Sequence, residues 1–275
     1  MCRWLAYTGT SIPLEALLFS AQHSLIDQSM SSGASDAPTN GDGFGVGWYG
    51  RHGNPGLFRS VRPAWNDLNL RDLAAHIEAP LFLAHVRSGT LAMVQESNCH
   101  PFRHGPWLFA HNGEIAEIER FRRDLVLAVA PELFTFIQGT TDSELMFYLA
   151  LTFGLEKDPL GAVERAAGLV ERLGQEHGVD KCLWMTLAFS DGKNLYAVRY
   201  ASDGDAPSMH ISRDLEDLHR LDPALHGRLS KETRVVVSQP VGNHAAAWAE
   251  IPQHTAVTIH RGEVKRVPFK PAPPK

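Results

Sequence analysis

Short apolar runs bounded by turn residues dominate the first part of the chain. Arg3–Tyr7, Phe44–Tyr49, Gly56–Val61, Leu81–Val86 and Trp107–Ala110 each read as a strand. Two of them, "PLFLAHV" and "WLFAH", are almost continuously apolar, which suits strands covered on both faces. The middle of the chain changes period. Ile118, Phe121 and Leu125 recur at helical spacing, and "TTDSELMFYLAL" opens with Thr141 and Glu144 in capping-box spacing before turning apolar. "LGAVERAAGLVERLG" predicts a third helix. Strands then return: Leu183–Phe189 and Leu195–Tyr200 flank the turn "SDGKN", followed by "TRVVVSQP" and the hairpin "AVTIHRGEVKRV". Ser29–Asn40 reads as a polar loop and the Pro-rich "KPAPPK" as a frayed tail. Strands on both sides of a helical centre predict sheets stacked face to face with helices outside. With no internal repeat and no linker, residues 1–275 are expected to form one domain, with 268–275 frayed.

Composition narrows the function classes. The chain has 275 residues, is 44% hydrophobic and carries a formal net charge of −5, with a pI near 6.3. That balance excludes the basic footprint of a nucleic-acid binder. Arg120, Arg122 and Arg123 read as the solvated face of a helix. No apolar run approaches the roughly 18 residues of a membrane span, and no signal-peptide pattern opens the chain. A cytoplasmic protein without a membrane partner is expected. Cys2, Cys99 and Cys182 form no CxxC pair, so neither a disulfide framework nor a zinc site is implied. His100, His104 and His111 lie close in sequence but lack companion ligands at metal spacing, and no cofactor is expected.

Cys2 changes the picture. It stands directly behind the start methionine, at the head of a buried strand. Free cysteine often serves only as a small apolar residue. If the methionine is removed, however, Cys2 gains an α-amine with a pKa of about 7.7–8.0 beside a thiol of about 8.5. Nucleophile and base then share one residue. Attack on an amide carbonyl would give a thioester, and its oxyanion would need aimed donors.

Four segments offer such support, each with a structural alternative. "TNGDGFGVGWYG" does not fit a dinucleotide fingerprint, because Val46 stands where glycine is required. Its glycines suit a tight turn or a backbone that must approach a ligand. In "HVRSGT", Arg87 is the one charge near an apolar run; it suits a structural ion pair or a substrate carboxylate. In "AHNGEI", Asn112-Gly113 suits a turn, or an oxyanion hole made of a side-chain amide and a backbone N–H. In "GTTDSE", Asp142 suits a helix N-terminus or a substrate ammonium. Taken together, a carboxylate at Arg87, an ammonium at Asp142 and an amide carbonyl between thiol and oxyanion hole describe glutamine or a γ-glutamyl compound.

In the order "MC", "NGDGFGVGWY", "HVRSGT", "ESNCHPF", "HNGEI" and "GTTDSE", spanning about residues 2–150, the chain resembles the class II glutamine amidotransferases of the N-terminal-nucleophile (Ntn) hydrolase superfamily. The resemblance implies an α+β fold, the four-layer αββα sandwich of two stacked, mainly antiparallel sheets. It implies Cys2 as nucleophile with its own amine as base, and Asn112 and Gly113 as the oxyanion hole. Arg87 and Thr90 would hold the α-carboxylate, Asp142 the α-amino group, and His100 would lie near the glutamine pocket. Family enzymes often read "RWAT" where this chain has "RSGT", so the resemblance assigns Ser88 no role. The body looks like two stand-alone branches, the ergothioneine-pathway γ-glutamyl hydrolases and, more closely, the amidotransferase-like subunits of glutathione-degrading complexes, which work with a peptidase-like partner. The expected activity is cleavage of the γ-glutamyl amide of glutamine or of a γ-glutamyl thiol compound, alone or with a peptidase-like partner. The alternatives are a glutaminase subunit feeding ammonia to a separate synthase partner, and a non-catalytic partner subunit.

Overall fold

The computed structural model describes residues 2–31, 39–50, 53–89, 93–213, 218–219 and 225–274. Two antiparallel sheets are stacked. The first contains β1 (Arg3–Pro13), β2 (Phe44–Tyr49), β3 (Gly56–Ser60), β4 (Glu78–Val86), β9 (His210–Ser212), β10 (Arg234–Val237) and β11 (Trp248–Glu250). Their order is β11-β9-β10-β1-β4-β2-β3. The second contains β5 (Phe102–His104), β6 (Trp107–Ile115), β7 (Leu183–Ser190), β8 (Leu195–Ala201), β12 (Thr255–His260) and β13 (Glu263–Pro268), in the order β13-β12-β8-β7-β6-β5. Helices α1 (Leu25–Met30) and α2 (Leu68–His76) belong to the first sheet. Helices α3 (Arg122–Leu127), α4 (Pro131–Phe134), α5 (Asp142–Thr152) and α6 (Pro159–Glu176) belong to the region between β6 and β7.

The two-residue period of the strands divides the apolar side chains among three cores. Trp4 and Ala6 point from β1 toward the second sheet, where they meet Leu108, Ala110, Ala188 and Val257. Leu5 and Tyr7, one position over, point the other way and share a core with Leu25 and Ile26 of α1 and Leu70 of α2. On the far side of the second sheet, Phe109, Met185 and Leu187 pack under α5 and α6 through Phe147, Val163 and Val170. Three cores between four layers give the αββα sandwich, as the alternation of apolar runs and helices implies.

The glycines of "GFGVGWY" lie on the inner face of β2. A Cβ on Gly45 would come within 2.3 Å of the His100 carbonyl, and one on Gly47 within 2.8 Å of Leu108. At Gly45 and Gly47 the missing side chains let the second sheet approach, while the chain bends ahead of them, with Gly43 at φ 115°, as a turn entering the strand. Asn112-Gly113 is no turn: both residues lie inside β6, opposite Thr186 and Met185. Thr141 caps α5 by accepting the Glu144 N–H at 3.1 Å. The Glu144 carboxylate does not return to Thr141, however; it accepts N–H bonds from Gln138 and Gly139 at 3.0 and 2.6 Å and shapes the loop before the helix.

The expected frayed tail is docked. Phe269 is buried in the helix-side core, and its N–H donates to the His254 carbonyl at 2.8 Å. Beyond it, Lys270 N–H donates to Glu164 Oε1 at 2.8 Å and Ala272 N–H to the Glu164 carbonyl at 3.1 Å. Proline keeps this segment extended, and Gly168 of α6 leaves room for it: a Cβ there would lie 2.3 Å from Ala272. Phe269→Ala is expected to lower unfolding free energy by about 3 kcal/mol or more, measured by urea denaturation. A change within 0.5 kcal/mol would show the tail to be detached in solution.

Candidate active site

Cys2 is half-buried at the head of β1. The first register pair, Arg3 with Val86, places it beside the residues that follow β4. Ser88 flanks the sulfur with its backbone: its N–H donates to Sγ at 3.4 Å and its carbonyl accepts from the thiol at 3.6 Å. Burial, the largest effect, pushes the Cys2 thiol above its ordinary range, while the Ser88 N–H and the Arg87 charge pull it back in part. A thiol held up in this way is protonated near neutrality and needs a base.

The strand that carries Cys2 is tied to the opposite sheet. The Trp4 indole N–H donates to Thr186 Oγ1 at 3.0 Å, and Thr186 donates to the Asn112 carbonyl at 3.3 Å. Trp4 is also fixed within its own sheet, with its N–H on Ser238 Oγ at 3.0 Å and its carbonyl accepting the Ser238 N–H at 3.0 Å. Asn112 follows Leu108 and Ala110 at even spacing, so it faces the inter-sheet layer that also receives Trp4. No hydrogen bond engages its side-chain amide among the described residues, although it is buried. Gly113 admits no side chain: a Cβ would come within 2.0 Å of the Trp184 carbonyl and 2.6 Å of His111 Nε2.

Arg87 is buried to 4% exposure and donates through Nη1 to the Asp42 carbonyl at 3.2 Å. Asp42 also closes the loop around it: its carboxylate accepts the Gly89 N–H at 2.8 Å, and its own N–H donates to the Arg87 carbonyl at 3.1 Å. The structure thus gives Arg87 a carbonyl partner and a wrapped loop. Thr90 lies outside the described residues.

Asp142, at the start of α5, accepts the Ile115 N–H at 2.9 Å through Oδ2, and the Ser143 N–H and hydroxyl at 2.7 and 3.1 Å through Oδ1. The same Ser143 Oγ lies 2.7 Å from His111 Nδ1. The carboxylate is therefore anchored beside the end of β6, just past Gly113. An ionised carboxylate offers about four acceptor sites, so capacity for an ammonium remains.

His100 sits in the layer behind. Its ring stacks on His85 at 4.2 Å between centroids and tilts against Phe102 at 4.4 Å. Neither ring nitrogen has a hydrogen-bond partner among the described residues. His85 Nε2 lies 3.2 Å from the His111 carbonyl, a second link between the sheets. Burial lowers the pKa of all three histidines, that of His85 to about 3 and that of His100 well below the usual range. Uncharged at neutral pH, they fill space beneath the site.

Sequence reasoning missed several supporting residues. Asp42 and the Ser88 backbone hold the Arg87 loop and the thiol. Asn98, fully buried, binds the Met93 carbonyl and Thr140 Oγ1 through its amide nitrogen, and accepts from Thr140 N–H and Gln95 through its oxygen. It couples the segment before His100 to the loop before Asp142. "NGDG" and "ESNC" were on view as motifs, but only the three-dimensional pairing shows what these polar residues hold. Among the described residues no helix is long and apolar enough to cross a membrane.

Residues 19–274 match the family model described as "Glutamine amidotransferases class-II". The chain is 30% identical to the probable glutamine amidotransferase DUG3 of Saccharomyces cerevisiae, over 95% of this chain and 82% of that one. It is 27% identical to the γ-glutamyl-hercynylcysteine sulfoxide hydrolase of Mycolicibacterium smegmatis, over 98% and 100%. A solved glutamine aminotransferase class-II domain protein from Silicibacter pomeroyi superposes with a TM-score of 0.76 at 37% identity, covering 98% of this chain and 100% of that one.

The buried histidines imply acid lability. Their folded pKa values lie below the unfolded value of about 6.5, so the unfolded chain binds more protons as pH falls. The stability they allow is complete above about pH 6.5 and is lost progressively below it, for His85 down to about pH 3. Each contributes up to ~1.4 kcal/mol per pH unit in that window. Melting temperature should fall steeply from pH 6.5 to 4.5, and His85→Asn should flatten the slope. An equal slope in wild type and variant would contradict the assignment.

Proposed function

This chain belongs to the class-II glutamine amidotransferases, and from that membership we propose that it is a γ-glutamyl amidohydrolase whose nucleophile is Cys2 and whose substrate is a γ-glutamyl thiol compound or glutamine. The observation that carries the reading is the buried hydrogen-bonded link between the strand that bears Cys2 and the strand that bears Asn112, Trp4 to Thr186 to the Asn112 carbonyl. A nucleophile and an unengaged side-chain amide, brought from different sheets into one layer, suit attack on an amide carbonyl.

Removal of Met1 frees the Cys2 α-amine. The amine takes the thiol proton as sulfur attacks the carbonyl carbon, and the carbonyl oxygen becomes an oxyanion. The Asn112 amide and the Gly113 N–H donate to that oxygen. The amine then passes the proton to the leaving nitrogen, the C–N bond breaks and a γ-glutamyl thioester remains. Water, deprotonated by the same amine, releases glutamate and restores the thiol. Arg87 and Thr90 hold the substrate α-carboxylate and Asp142 its ammonium. His100 shapes the pocket from behind, through its stack on His85. All of these groups lie in one chain, which we take to be a single catalytic domain.

The substituted leaving group is favoured by the relative matched over its full length, whose name gives a γ-glutamyl compound as its substrate. Incubation of Met1-free protein with glutamine, glutathione and γ-glutamylcysteine, following glutamate, tests the reading. Release is expected from at least one of them. Cys2→Ala should abolish it, and Asn112→Ala should lower kcat by about 100-fold or more. Full activity in a protein that retains Met1 would overturn the mechanism.

A further inference from the structure

The inter-sheet layer has a second polar opening, away from Cys2. At the edge where β9, β10 and β11 face β13, a cleft of about 580 Å³ is lined by Ile211, Arg213, Arg234, Ala249, Val264 and Arg266, with Ser212 at its base. The register explains why three arginines share it. Arg234 stands two residues before Val236, and Arg213 two after Ile211; Val236 and Ile211 both face the inter-sheet core. Arg266 pairs with Val257, another inward residue, and Val264 on the same face of β13 packs against that core. The two sheets therefore turn three guanidinium-bearing positions into one concavity.

None of the three forms an ion pair among the described residues. Two are oriented by backbone carbonyls instead. Arg213 Nε donates to the Trp248 carbonyl at 3.1 Å, and Arg234 Nη1 to the Thr233 and Lys231 carbonyls at 2.6 and 3.0 Å. Those bonds use a minority of the five N–H donors that each guanidinium carries. Like charges in one cleft repel, and their field concentrates on an anion placed between them. The arrangement stands out in a chain of net charge −5.

We propose that this cleft binds a phosphorylated small molecule. Guanidinium forks match the paired oxygens of phosphate. Three of them suit a ligand with more than one negative charge, and Ile211, Ala249 and Val264 offer an apolar wall for the rest of it. The volume lies within the usual range for a small-molecule site. Arg234 pairs with Thr8, six residues along β1 from Cys2, so the cleft is about 20 Å from the nucleophile along that strand. It is a separate site, and its occupancy does not depend on the proposed hydrolysis.

Pyrophosphate is the probe. Titration by calorimetry and by melting temperature, at constant ionic strength set with potassium chloride, should show saturable 1:1 binding. Arg266→Gln, a solvent-exposed residue of an edge strand, and the double variant Arg234→Gln/Arg266→Gln should weaken that binding by about tenfold or more. Their melting temperature without pyrophosphate and their glutamate release should match wild type. Should the double variant prove unfolded, the single Arg266→Gln still decides the matter. Stabilisation no greater than that given by potassium chloride, or binding unchanged in Arg266→Gln, would overturn the proposal.

Discussion

A single tryptophan side chain holds the two halves of the site in register. Trp4 is the second residue after Cys2, and its indole N–H reaches across the sandwich to Thr186 of the other sheet. Thr186 passes the link to the Asn112 carbonyl. A net contribution of about 1 kcal/mol per bond is ordinary, but its placement is not. Sulfur and amide come from sheets that share no strand pairing, so their separation is set by what lies between the layers. Apolar packing is non-directional and would allow the sheets to slide; a buried donor that meets one acceptor does not. The His85 contact with the His111 carbonyl adds a second fixed point one residue from Asn112.

The same layer shows what a site inside a sandwich requires. The inward positions of β2 are glycine, so that the second sheet and the segment carrying His100 can come close. The inward end of β4 is His85 and then Arg87, both buried. Such groups are tolerated only if they are uncharged or given partners. The histidines take the first route, and His100, whose ring nitrogens have no partner among the described residues, is held by its stack on His85. Arg87 takes the second, through the Asp42 carbonyl and the loop that Asp42 closes. Rigidity therefore comes from polar groups with few alternatives, and the same groups set the pH range in which the fold is stable.

Much of this was legible in the sequence where periodicity or local chemistry carried it. β2 was readable to the residue, β7 and β8 to within one, and α6 announced itself by spacing, whereas the start of β4 and the second half of β6 were not read as strand. What was not legible falls into two kinds. The three-residue strands β5, β9 and β11 are too short to show a period, and they exist because neighbours offer paired edges. In α1, the Ser24–Asp27 capping box was present but its helix covers only six residues. The other kind concerns where polar groups point. Asn-Gly is the commonest of turn signals, yet here it continues a strand, because β7 supplies partners and the space beside Gly113 is already occupied by Trp184 and His111. The tail was misread for the same reason: composition favours fraying, and one buried phenylalanine outweighs it. Cys2, Arg87, Asn112, Gly113 and Asp142 were visible as residues and were expected around one ligand; the backbone bonds that hold Cys2, Arg87 and Asp142 in place were not.

The position of the proposed nucleophile, Cys2, at a strand head accords with these constraints. A cysteine within a buried strand would be deprived of water and of a base, and burial alone would keep its thiol protonated. At the head of β1 the sulfur is half-buried and close enough to Ser88 to be held on two sides. The chain that folds around it must stop short of covering it, and a terminus does that without a loop. The proposed base then needs no residue of its own, because removal of Met1 would place an amine on the same residue as the sulfur. One covalent fact, a chain that begins at the nucleophile, would thus supply access and base together, while the sheet behind it supplies only position.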